Sequence, residues 1–278
     1  MRNRQTINSV VEVSGRGVHT GQEGTVRFLP AQSGEGIIFR RTDLHGEAIP
    51  ARLDYLVPDQ LLRRTTLANG RAKVHTIEHV LSAAAGCDVD DLLIEMNTGE
   101  PPFLDGSAAR FVELLQQAGI TQQRENCQPL EIGEPLAFRD GDAEFSCLPS
   151  DEFRVSFFFT SDHPKLRRQA ASIVITPETY AAEVAPARTF CFFEEIESMR
   201  RQGLIKGANL SSAVVIGRKG MLNDSLRFPD EPVRHKILDF IGDLALLGRP
   251  LKGHFLAWRS GHRANAAFAL YLKKEFGL

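Results

Sequence analysis

The chain has 278 residues, of which 42% are hydrophobic and 24% charged, with a formal net charge of -2. That balance excludes a disordered chain, and it gives no reason to expect nucleic acid or an acidic membrane surface as a partner. The length holds one large domain or two moderate ones, with ample core in either case. The four cysteines, Cys87, Cys127, Cys147 and Cys191, form no CxxC pair and no disulfide framework, which fits a reduced, cytoplasmic compartment. The opening residues, MRNRQTINSVVEVSGRG, hold no apolar stretch of signal-peptide length, and no run approaches a membrane span.

The first third reads as short strands. TINSVVEVSG alternates and stops at Gly15, and GTVRFLPA and GIIFRRTD follow the same pattern. A helical pattern then runs from Thr76 to about Ala85, ended by Gly86. DDLLIEM reads as a buried strand. A second helix is entered through Asp105, Gly106 and Ser107. The polar stretch TQQRENCQP, at 121–129, marks a domain boundary between 1–125 and 126–278. Strands resume with LEIGEPLAF, AEFSCLP and FRVSFFF, and an irregular region covers 160–230. One helix then starts at Pro232 and ends near Gly248, and the last runs from about Arg263 to Phe276. Strands followed by helices in both halves indicate α+β rather than parallel α/β. No internal sequence repeat is visible.

Two helices carry groups able to bind a metal. In EPVRHKILDFIGDLALLGRP, residues Val233, Ile237, Phe240, Leu244 and Leu247 form one apolar arc. His235, Asp239 and Asp243 lie opposite, four residues apart. That spacing puts neighbours roughly 6 Å from each other on one face. An imidazole and a carboxylate so placed can both reach one tetrahedral zinc at about 2 Å. In HTIEHVLSAAAG, the arc is Ile77, Val80, Leu81 and Ala84, with His79 off it and Glu78 on the flank. A Glu beside a metal-binding His is placed to take a proton from metal-activated water. His262, in RSGHRAN, sits on a turn where it can project into a cleft as an acid, with Asp243 able to hold its other nitrogen. Taken singly, each pattern more often describes a solvated polar face. A rival motif overlaps the second helix: His75, Glu78 and His79 spell H-x-x-E-H, the inverzincin peptidase pattern, in which His75 and His79 both ligate.

Together these segments resemble the UDP-3-O-acyl-N-acetylglucosamine deacetylase family along nearly the whole chain. The matching stretches are GRGVHTG, GIIFRRTD, TIEHVLSAAAG, EPPFLDGSA, ARTFCF, LRFPDEPVRHKILDFIGDL and SGHRAN, in that order. The resemblance implies two similar α+β domains, each a small mixed sheet on two helices, with the helical layers face to face. It implies one catalytic zinc held by His79, His235 and Asp239, with iron(II) as an alternative ion. It implies Glu78 as general base, Thr189 polarising the amide carbonyl, and a protonated His262 oriented by Asp243. Lys236 would bind substrate. An insertion at about 190–215 would form a passage for the acyl chain, with Phe190, Ile196 and Ile205 on its wall, and His19 would stand near the site. The implied partner is a UDP-linked acylated amino sugar, met by a monomer. His75 falls where the family has no ligand.

The chain departs from the family at Arg64, where some members carry Cys, at Ala208, often Gly, and in TSDHPKL, which keeps part of a family motif. Two other readings follow from the same residues: a non-catalytic UDP-sugar binding protein with a structural metal, and one half of a larger bifunctional protein.

Overall fold

The structure is a computed structural model that describes residues 2–164, 166–223 and 225–278. Two larger sheets organise it. The first is ordered Val11–Arg16, Glu23–Pro30, Leu92–Met96, Ile37–Arg41, Glu47–Pro50. The second is ordered Leu136–Asp140, Ala143–Leu148, Leu251–Trp258, Phe153–Thr160, Arg168–Val174, with Leu130–Glu131 paired beside Leu251 and Lys252. In both, the central strand is the last of its sheet in the chain. It runs antiparallel to the second strand and parallel to the third. Alternation drives these strands: in Ala143–Leu148 every other residue is buried, as a sheet with one covered face requires.

The helices are α1 (Glu78–Gly86), α2 (Ala109–Ala118), α3 (Ile196–Arg201), α4 (Glu231–Leu244) and α5 (His262–Glu275). α1 and α4 each precede their sheet's central strand, and α2 and α5 each follow it. The chain is thus α+β and built twice on one plan, a repeat of topology that the residues themselves do not display. α4 begins with Pro232 in its first turn and leaves through a 3-10 turn into Gly248, at φ 69°, as its sequence indicates.

α1 packs on α4. Ile77, Val80, Leu81 and Ala84 from the first join Val233, Ile237, Phe240 and Leu244 from the second in one continuous core. Each large aliphatic or aromatic side chain so buried contributes about 1.5–3 kcal/mol. The approach is closest at Gly242, where an added Cβ would overlap the Glu78 carbonyl oxygen and stand 2.8 Å from its carbon. His235, Asp239 and Asp243 therefore do not form a solvated face. They are 1%, 3% and 1% exposed, against the other half of the chain.

Several elements differ from the sequence pattern. TINSVVEVSG is not one strand: Asn3–Ile7 pairs with Ile120–Asn126, and Val11–Arg16 joins the first sheet. The polar stretch at 121–129 is accordingly strand as far as Asn126. The region 160–230 is less irregular than its composition suggests. It contains Arg168–Val174, helical turns over Pro177–Val184, α3, and a small sheet of Phe190–Phe192, Val214–Gly217 and Gly220–Met221. The central strand Leu251–Trp258 was not anticipated. All four cysteines are free thiols. Among the described residues no helix is long and apolar enough to cross a membrane.

Candidate metal centre and active-site cleft

The hairpin Thr66–Asn69 and Ala72–His75 delivers the chain to α1, so that Glu78 and His79 occupy its first turn. His79 faces α4, and its ring lies 5.0 Å from that of His235. His79, His235 and Asp239 are all buried, and one ligand atom from each lies within 4.8 Å of the others. His235 Nε2 is 3.3 Å and His79 Nε2 3.8 Å from Asp239 Oδ1. Ligands about 2.1 Å from a tetrahedral ion stand about 3.4 Å apart. The donor set therefore fits a metal ion of zinc size. His235 Nδ1 contacts the Ala187 carbonyl oxygen at 3.0 Å. A proton on Nδ1 makes that contact a hydrogen bond and leaves Nε2 free to ligate. Lys236 Nζ donates to the other oxygen of Asp239 at 2.6 Å.

Electrostatics reinforce this arrangement. Burial, with repulsion from His235, pushes His79 down to about 3, so its ring is neutral and its lone pair available. Burial opposes ionisation of Asp239, but His235 and Lys236 outweigh it and hold the carboxyl well below the usual carboxylate range.

Glu78 and His262 face each other at the edge of this cluster, with His262 Nε2 3.9 Å from Glu78 Oε1. Burial, then the charges of Asp243 and Asp239, raise Glu78 to about 7, with His262 opposing. Burial works against charging His262, but Asp243, Glu78 and Asp239 overcome it and raise the ring to about 9. Both are raised, so between about 7 and about 9 the carboxyl is ionised while the imidazole keeps its proton, and a base and an acid stand side by side. Asp243 lies behind, with Oδ2 2.9 Å from His262 Nδ1 and accepting from Asn265 Nδ2 at 2.8 Å. Thr65 joins the two halves of the pair. Its backbone N–H donates to Glu78 Oε2 at 3.0 Å, and its hydroxyl donates to Asp243.

These groups open on a cleft of about 590 Å³. Thr189, Phe190, Ile196, Ile205, His19 and Lys236 all line it, as do Glu78, His262 and the three metal-site residues. Asp243 does not; it acts from behind His262. Thr189 is fixed by its backbone, the N–H donating to Gly106 O and the carbonyl accepting from Val214, each at 2.8 Å. Part of the cleft lining is apolar, supplied by Leu61, Ile196, Met199, Ile205 and Leu210. Arg63 is part of the lining, whereas the departure at Arg64 is not. In the stretch TSDHPKL, Lys165 lies outside the described residues, and His163 stacks on Phe192 with ring centroids 4.7 Å apart.

His75 does not join the metal cluster. Its Nδ1 is 3.1 Å from Thr76 Oγ1 and 3.9 Å from Glu100 Oε1. The H-x-x-E-H spacing fails because Thr76, at φ 58°, breaks the helix before His75, so His75 and His79 share no helical face. Sequence reasoning missed Thr65, Asn265 and Glu100. Glu100 and Asn265 lie in the matching stretches EPPFLDGSA and SGHRAN, but nothing there gives them a role, because each of the three acts through a partner distant in the chain.

A family model described as UDP-3-O-acyl N-acetylglycosamine deacetylase matches residues 4–274. The chain is 45% identical over 266 residues to the UDP-3-O-acyl-N-acetylglucosamine deacetylase of Anaeromyxobacter sp. (strain Fw109-5), covering 95% of this chain and 86% of that one. It is 42% identical over 279 residues to the deacetylase of the same name from Saccharophagus degradans, covering 99% and 91%. Against a bifunctional LpxC/FabZ enzyme of Chlorobaculum tepidum it is 40% identical over 301 residues, covering 98% of this chain and 64% of that protein. The chain belongs to the UDP-3-O-acyl N-acetylglycosamine deacetylase family.

Proposed function

We propose that this chain hydrolyses the N-acetyl group of a UDP-3-O-acyl-N-acetylglucosamine. The products are acetate and the free amine, the committed step of lipid A biosynthesis. The names of the relatives support the substrate. The observation that carries the reading is the convergence of His79, His235 and Asp239 at the head of an apolar cleft, with Glu78 and His262 beside them. Three protein donors leave one corner open, as a catalytic rather than a structural zinc site requires. That open corner also weighs against a binding protein with a closed metal site. His75, turned toward Glu100, gives the peptidase reading no support.

Zinc, held by these three residues, would supply Lewis acidity, acidifying water and polarising the amide carbonyl. Iron(II) suits the same donors, and availability decides between them. Glu78, raised toward neutrality by burial, accepts the proton of the attacking water. His262, held charged by Asp243, meets the negative charge developing on the carbonyl oxygen and supplies a proton to the leaving amine. Thr189 adds a second polar contact at the carbonyl. Lys236 neutralises Asp239 and reaches toward the substrate. The acyl chain occupies an apolar arm of the cleft lined by Phe190, Ile196 and Ile205, with His19 on the same lining.

The protein works in the cytoplasm as a monomer. It has two domains, 1–125 carrying Glu78 and His79, and 126–278 carrying the remaining groups. The test is acetate release from the UDP-sugar by purified protein, with and without a chelator. Release that stops with chelator and returns with metal supports the reading. Release indifferent to chelator, or none in metal-loaded protein, overturns it.

A further inference from the structure

We propose that Glu100 is a positioning residue for acyl-chain selection, because its carboxylate fixes the loop on which the wall of the apolar arm is seated. This rests on the reading of that arm as the acyl site. Glu100 is 2% exposed, yet among the described residues no Lys or Arg side chain forms an ion pair with it. Instead its oxygens divide four donors. Oε1 accepts from the His19 N–H at 2.9 Å and the Thr76 hydroxyl at 3.0 Å. Oε2 accepts from the Thr20 N–H at 2.8 Å and the Thr20 hydroxyl at 2.7 Å. The loop is pressed against it: a Cβ at Gly17 would stand 2.7 Å from the Glu100 carboxyl carbon. A buried carboxylate whose hydrogen bonds all go to one loop and one helix approach has a positional task.

The other side of the same loop carries the cleft wall. Gly207 N–H donates to Val18 O at 3.0 Å, and Lys206 N–H to His19 O at 3.3 Å. Ile205 N–H donates to His19 Nδ1 at 3.4 Å. The backbones touch so closely that a Cβ at Gly207 would overlap the Gly17 carbonyl oxygen. Ile205, whose side chain lines the cleft, has φ 53°. Thr76, on the Glu100 side, has φ 58°. Both are β-branched residues in the left-handed region, which persists only when surrounding contacts impose it. Glu100 touches one directly and the other through His19. Loosening it lets Ile205 relax and the wall shift, while the metal site on α1 and α4 keeps its own anchors.

The experiment compares kcat/KM for a long-chain 3-O-acyl substrate with that for its 3-O-acetyl analogue, alongside metal content. Glu100→Gln exchanges an acceptor oxygen for a donor NH2, leaving at least one of the four donors unpaired. The ratio of long-chain to acetyl kcat/KM should fall about tenfold, a shift of the size a misfitted apolar pocket produces, with metal content unchanged. A loss common to both substrates reports the Thr76 contact; only the differential loss reports the loop. Thr20→Val should lower the ratio in the same direction, and Thr20→Ser should restore it. Gly207→Ala, which forces the wall off the loop from the opposite side, should lower it too. If Glu100→Gln does not fold, the Thr20 and Gly207 variants decide. An unchanged ratio in every folded variant, or equal losses on both substrates, overturns the proposal. Wild-type protein that releases acetate from neither substrate overturns instead the reading on which it rests.

Discussion

Replacing Gly242 by alanine puts a methyl group where α1 and α4 meet backbone to backbone. The new Cβ would stand 2.8 Å from the Glu78 carbonyl carbon and overlap its oxygen. Carbon atoms in ordinary contact sit about 3.5–4.0 Å apart, so the helices must part by about 1 Å. Overpacking of this kind costs about 1–3 kcal/mol, and in a chain this large each kcal/mol lowers the melting temperature by about 2–4 °C. The separation has a second effect. His79 stands on α1, while His235 and Asp239 stand on α4. The 3.8 Å gap from His79 to Asp239 therefore widens, whereas metal-ligand distances tolerate only about 0.2 Å. Metal affinity should fall about 10–100-fold, the range produced when the support of a ligand is disturbed. The assay is thermal unfolding of metal-free and metal-loaded protein, with a titration against a competing chelator. The metal-induced rise in melting temperature should shrink in the variant. A variant that melts lower yet binds metal as tightly as the parent would refute the claim that the ion bridges these two helices.

Glu78→Gln should retain metal while turnover falls by about 10²–10⁴, the usual worth of a general base; full turnover with metal bound would remove Glu78 from that role. The rate should rise as pH passes about 7 and Glu78 ionises, then fall as pH passes about 9 and His262 loses its proton. Because the two groups interact, both limbs belong to the pair. His262→Ala should abolish the alkaline limb and lower the rate more than substrate affinity; an alkaline limb that survives contradicts the assignment. His75→Ala should leave metal content unchanged, since that ring faces Glu100 rather than the cluster. Loss of metal there would revive the peptidase pattern.

The helices were legible because their chemistry is local. Pro232, Gly248 and the four-residue spacing of His235, Asp239 and Asp243 all lie within one element. The central strand of the second sheet was not. In Leu251–Trp258 the inward positions include small Gly253 and Ala257, while the outward ones carry His254, Leu256 and Trp258. Large side chains on the outer face reverse the alternation that marks a strand. The repeated plan stayed hidden because the two sheets share strand order, not residues.

The site was legible in its donors and illegible in its supports. His79, His235 and Asp239 announce themselves by residue type and spacing. Thr65 holds Glu78 and Asp243 through one N–H and one hydroxyl, across 13 and 178 residues of chain. Glu100 holds backbone N–H groups 80 and 81 residues away. Only folding creates such contacts, and a threonine or glutamate in sequence carries no sign of them.

The central claim is that two imidazoles and one carboxylate from separate halves of the chain share an ion. It is tested most directly by anomalous diffraction from metal-loaded crystals, recorded on both sides of the metal's absorption edge. One strong peak within bonding distance of His79 Nε2, His235 Nε2 and an Asp239 oxygen is the predicted result. A peak at His75, or none among these three side chains, would contradict it.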